Sequence, residues 1–206
     1  MNNEWLVTCE ILLTVVVPLL VLYLRGNWPV GKIIPCLLII PILWYLTYAP
    51  LHEMSHVVGA YLVGGRVTYV KLIPRFWAGE FGRAWITPEG LGERWQQLIM
   101  TSSPYVLDVV SVVVGFCLLR RDFSKNPFVV GLILMLLCLR PTFDLVCETI
   151  SFVSGNRNDL FYMDETIGRL LTWSFLIFAI GLSLFSVVKV LSRFIGTPPP
   201  STLRAP

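Results

Sequence analysis

Five apolar stretches dominate the chain, at residues 5–24, 33–63, 104–119, 127–150 and 167–194. A helix needs about 20 mostly apolar residues to cross the hydrocarbon of a bilayer. Each stretch approaches or exceeds that length, so the sequence predicts an all-α membrane protein with about five transmembrane helices. Composition agrees with this. The 206 residues are 55% hydrophobic and 14% charged, with mean hydropathy +0.72, against about 25% charged in a typical soluble domain. A chain this apolar cannot hide its surface in one water-facing core of this size, and lipid is the expected solvent. The net charge of +3 is small and no basic run is interleaved with aromatics, which argues against a nucleic-acid partner. Cys9, Cys36, Cys117, Cys138 and Cys147 lie in apolar stretches without a CxxC pair, as reduced, buried or lipid-facing cysteines do.

Short polar breaks at 25–29, 120–122 and 154–159 separate the stretches, and no segment is polar and long enough for a separate soluble domain. Residues 1–196 read as a single polytopic membrane domain. Residues 197–206, with Pro198-Pro199-Pro200, read as a disordered C-terminal tail. The start, Met1-Asn2-Asn3-Glu4, lacks the positive charge of a signal peptide, so the first apolar stretch is expected to be retained. Lysines and arginines divide unevenly between the two sides of such a bundle and lean toward a cytoplasmic C-terminus. One region breaks the helical pattern. After Gly64-Gly65, residues 66–74 alternate β-branched or aromatic residues with polar ones, and 80–87 do so again. A small β-hairpin is expected there. It must lie at the interface or against the helices, because unpaired backbone cannot face lipid.

The only histidines of the chain, His52 and His56, stand in His52-Glu53-Met54-Ser55-His56, near the end of the long second stretch. Residues i and i+4 share one face of a helix, a spacing that lets two imidazoles converge on one tetrahedral zinc. Glu53 stands where it can accept a proton from metal-bound water, whose pKa zinc lowers to about 7. Ionisable residues inside a span are costly and mark function, and three fall here within five positions. A catalytic zinc usually takes a third protein ligand. Cys138 and Cys147 are conceivable, but a carboxylate suits hydrolysis better, and Glu10, Asp108, Asp144, Glu148 and Asp159 are the candidates. The second and fourth stretches enter the membrane from the same side. His52 and Asp144 then lie at nearly the same height, by the 1.5 Å helical rise. Asp144 is therefore the expected third ligand, with Asp159, in a polar loop that would have to fold back, as the alternative. Pro141 would free backbone groups nearby. Glu148, one turn beyond Asp144, could brace a ligand, and Asp108 could hold a histidine's second nitrogen or equally be a helix-start charge near the interface.

The run His52-Glu53-Met54-Ser55-His56-Val57-Val58-Gly59-Ala60-Tyr61-Leu62-Val63-Gly64-Gly65-Arg66-Val67 resembles the HExxH helix, Gly-Gly turn and entry into a membrane-associated sheet of the site-2 protease class of intramembrane metalloproteases. Ser103-Pro104 with Asp108 is loosely similar to that family's Gly-Pro-x-x-Asn element. Pro141-Thr142-Phe143-Asp144 is similar to the end of the segment that supplies its third, aspartate ligand. Ser55 stands where the family usually has Gly, and Leu145 replaces the Gly after the aspartate. The resemblance covers roughly residues 33–160. It implies one Zn2+ held by His52, His56 and Asp144, and Glu53 as the catalytic base in hydrolysis of peptide bonds in or beside the transmembrane segments of membrane-protein substrates. The exposed hairpin edge near residues 66–87 has two readings that stay open: it holds the unwound substrate by strand addition, or it is a purely structural lid. Two other readings compete: a catalytically silent relative that binds other transmembrane segments, and a transporter in which the same residues line a metal or proton path. The clustering of polar residues at one depth favours a closed site over a path.

Overall fold

The computed structural model describes residues 8–9, 12–25, 28–73, 84–121 and 126–196. A π-helical turn at Leu12–Val16 leads into helix α1 (Val17–Arg25). Helix α2 (Val30–Leu62) follows, then strands β1 (Arg66–Lys71) and β2 (Trp85–Glu89). Helix α3 spans Arg94–Arg120 and α4 spans Pro127–Val153. The short α5 (Asp159–Ile167) and the long α6 (Arg169–Gly196) complete the chain.

Four helices, α2, α3, α4 and most of α6, are long and apolar enough to cross a membrane. About five were expected. The described part of the first apolar stretch forms only the π turn and the nine-residue α1, and most of its beginning lies outside the described residues, as does the 197–206 tail. α1 still docks firmly. Its buried Tyr23 donates a hydrogen bond to the Pro127 carbonyl (3.2 Å) and lies where a Cβ on Gly131 of α4 would collide with its hydroxyl.

The third apolar stretch was expected to begin at Pro104, yet α3 starts ten residues earlier, as the numbering shows. The Gln96 side chain accepts from the Glu93 backbone N–H (3.0 Å), the reciprocal N-terminal bond that lets a helix begin in a polar segment. The same side chain donates to the Val63 carbonyl (2.9 Å) and so ties the start of α3 to the end of α2. α2 ends in a Schellman arrangement: Gly64 N–H reaches the Tyr61 carbonyl (3.1 Å) and Gly65 N–H the Ala60 carbonyl (2.9 Å). Gly64 sits at φ +82°, a left-handed conformation that side chains other than glycine's resist. The turn sends the chain straight into β1.

β1 and β2 pair antiparallel, with Arg66 opposite Glu89, Lys71 opposite Trp85 and an irregularity between Val67 and Tyr69. Residues 80–83 of the expected second run lie outside the described residues. The hairpin is largely exposed, and Tyr69 lies beside Trp85 with the Lys71 ammonium over the Trp85 ring at 4.6 Å.

α4 contains a π-helical segment, Met135–Leu139, directly before Arg140-Pro141. Proline lacks an N–H and its ring crowds the preceding turn, and widening of the helix relieves this. Downstream, Arg140, Asp144 and Glu148 fall four residues apart on one inward face.

The helices enclose two apolar clusters. One joins α1, α2 and α4 around Leu22, Tyr23, Ile40, Trp44, Leu134 and Phe143. The other joins Tyr105 of α3, Leu145 of α4, Leu160 and Met163 of α5, and Leu176 and Ala179 of α6. The second cluster governs the site, because it fastens α5 across the bundle.

Candidate metal centre

His52 and His56 lie one turn apart on α2, 8% and 4% exposed. Their Nε2 atoms stand 3.2 Å from each other. Asp159, the first residue of α5, brings Oδ2 to 3.3 Å from His52 Nε2 and 2.9 Å from His56 Nε2. Zinc bonds of about 2.0–2.1 Å in tetrahedral geometry put ligand atoms roughly 3.3 Å apart, so these three atoms have the spacing of one face of a zinc tetrahedron. Among the described residues, His52, His56 and Asp159 form the group of side chains that could hold a metal ion.

The far nitrogens settle the imidazole orientations. His52 Nδ1 lies 2.7 Å from Asp144 Oδ2, and His56 Nδ1 lies 2.9 Å from the Met100 carbonyl. A carbonyl can only accept, so His56 Nδ1 carries the proton, and a neutral ring then presents its Nε2 lone pair to the cluster. An Asp144 oxygen accepting at that distance favours the same tautomer on His52. Metal-binding histidines commonly have such a carboxylate or carbonyl at the second nitrogen. Two lone pairs and a carboxylate cannot stay this close without a cation between them, either a metal ion or a proton on an imidazole. In the proton-bearing arrangement, burial raises the Asp159 carboxyl pKa, but the His56 imidazolium charge and the hydrogen bonds of the histidines outweigh burial and hold it below the usual carboxylate range.

Local sequence explains why the Met100 carbonyl is available. Residue 104, whose N–H would normally bond that carbonyl within α3, is Pro104, and proline has no N–H. Close approach of α2 and α3 does the rest. A Cβ on Gly59 would stand 3.0 Å from Met100 Cα and would collide with the Ser103 hydroxyl. Pro104→Ala should return a competing donor to Met100. We expect it to weaken zinc binding about tenfold, the lower end of the effect of disturbing such partners, because a carbonyl oxygen can accept two bonds. Chelator competition on the purified variant measures this, and unchanged affinity would show that the proline is dispensable.

The site opens on a cavity of about 390 Å³ lined by His52, Glu53, His56, Asp144, Glu148 and Asp159, with Tyr48, Arg157 and Tyr162 among its other walls and Ala84, Trp85, Ile86 and Pro88 from the β2 side. Glu53, 9% exposed, borders this space beside His52. Among the described residues, four carboxyl groups line the cavity and Arg157 is the one Lys or Arg among its walls, an arrangement suited to a cation. A second cavity, of about 510 Å³, shares Ile86, Pro88, Met100, Asp159 and Tyr162 as walls.

The structure thus brings together His52, Glu53 and His56, as expected from their spacing. The depth match also brings Asp144 to His52, but to Nδ1 rather than to the converging Nε2 atoms. Asp159 occupies the converging position because the polar break folds back and starts a helix. Asp108 does not touch a histidine. It pairs with the buried Arg140 at 2.8 Å. Glu148 accepts from Asn158 (2.7 Å) and Tyr105 (3.4 Å). Cys138 is buried where a Cβ on Gly115 would meet it, away from the cluster. Glu10 lies outside the described residues. Sequence reasoning missed the Met100 carbonyl and Asn158. Pro104 was the available signal for the first, and an Asn directly before an acidic helix start was the signal for the second. In comparisons with protein-family models, curated proteins and solved structures, the chain matches none.

Proposed function

We propose that this protein is a multi-pass membrane zinc metalloendopeptidase of the site-2 protease type, acting on peptide bonds in or next to transmembrane segments of other proteins. The carrying observation is the convergence of His52 Nε2, His56 Nε2 and Asp159 Oδ2 at 2.9–3.3 Å beside Glu53. His52, His56 and Asp159 would hold the ion, while Asp144 and the Met100 carbonyl orient the two imidazoles. This assigns Asp144 a positioning role in place of the ligand role expected for it. Zinc, when bound, supplies a Lewis acid that polarises a carbonyl and makes water acidic enough to deprotonate near neutral pH.

The chain's own groups do the remaining work. Glu53 takes the proton from the attacking water and returns it to the leaving amine. The walls of the cavity limit water around the reacting bond. The substrate must be extended there, because a helix hides its carbonyls in its own hydrogen bonds. β2 belongs to a two-stranded sheet and contributes Trp85, Ile86 and Pro88 to the cavity wall, so an unwound segment can lie along it by strand addition.

Full-length protein reconstituted with a transmembrane reporter tests the proposal. One equivalent of zinc and cleavage of the reporter, lost on chelation and restored by added zinc, are expected. Zinc flux across the vesicle without cleavage would sink the enzymatic reading.

A further inference from the structure

Asp159 follows an exposed connection, residues 153–157, yet it must be held to within a few tenths of an ångström to complete a metal site. The residue before it solves this. Asn158 Oδ1 accepts from the Phe161 backbone N–H (3.2 Å) as the N-cap of α5. Its Nδ2 donates to the Glu148 main-chain carbonyl and to the Glu148 carboxylate, both at 2.7 Å. The partners fix the orientation of the amide, because a backbone N–H only donates and a carbonyl only accepts. Both donors and the acceptor of the side chain are therefore engaged. Glu148 in turn accepts from the hydroxyl of Tyr105, a fully buried residue of the cluster that also holds Leu160. The connection is thereby tied to α4 and α3 immediately before the carboxylate that faces the histidines.

We propose that Asn158 and Glu148 form a clamp that positions Asp159 for metal binding. The proposal rests on the zinc reading above and adds two positioning residues to it.

Asn158→Asp separates docking from capping. Aspartate caps helices as well as asparagine does, so α5 still starts, but two donors become acceptors facing a carbonyl and a carboxylate. Zinc affinity of the full-length chain, measured by competition with a chromogenic chelator, should fall about 10–100-fold, as when other supports of metal ligands are removed. Adding Glu148→Gln to Asn158→Asp supplies an amide donor to the new carboxylate and should recover most of the loss. Hydrogen exchange of the amides at 156–162, followed on metal-free protein, should rise in the single variant and return toward wild type in the double. Wild-type affinity in Asn158→Asp, or a double variant no tighter than the single, would overturn the clamp while leaving the metal site standing. Failure of the wild-type chain to bind zinc would remove the metal reading, and the clamp with it.

Discussion

Glu53→Gln should lower reporter cleavage by roughly 10²–10⁴-fold, the range for losing a positioned general base, while one zinc remains bound. The substitution is nearly isosteric and leaves His52, His56 and Asp159 untouched, so the metal group keeps its shape. What disappears is the ability to take a proton. Glu53 borders the cavity beside His52 and is 9% exposed, so it sits at the enclosed site rather than in bulk water. Parallel measurement of zinc content and turnover checks the result. Cleavage near the wild-type rate would remove Glu53 from the chemistry and with it the hydrolytic reading.

Asp159→Ala and Asp144→Ala should part company in zinc affinity. Apparent zinc binding energies of about 10–16 kcal/mol shared among three or four ligands give roughly 3–4 kcal/mol each, so loss of Asp159 should cost on the order of 10²–10³-fold. Asp144 meets His52 at the far nitrogen, Nδ1, and removing such a partner costs about 10–100-fold. Double-variant measurements add a check, since residues acting on one histidine-centred site will not be additive. A larger loss in Asp144→Ala than in Asp159→Ala would make Asp144 the ligand and Asp159 the support.

These two aspartates also mark where sequence reasoning ran out. Equal helical depth placed Asp144 beside His52 correctly, because the rise per residue is a local constant. Depth carries no information about which ring nitrogen is met. Asp159 stood in a polar break that reads as a loop. It reaches the histidines because Leu160 and Met163 bury against Tyr105, Leu145 and Leu176, contacts between residues far apart in the chain. The Met100 carbonyl is a mixed case. Pro104 guarantees an unpaired acceptor four residues earlier, whereas its meeting with His56 depends on how closely α2 and α3 pack at Gly59. Helix starts show the same division. Glu93 and Gln96 are a local signal for the start of α3, overlooked because the apolar pattern begins only later.

Sequence alone determined the long apolar helices, the Gly-Gly turn into a hairpin and the pairing of two imidazoles on one helical face with a carboxylate next to the first in the chain. Each of these depends on residues within a few positions of one another. Tertiary structure decided which carboxylate meets the Nε2 atoms, which groups hold the Nδ1 atoms and which strand borders the cavity. Those choices follow from long-range burial of apolar side chains, which selects one arrangement of the helices and carries the polar groups with it.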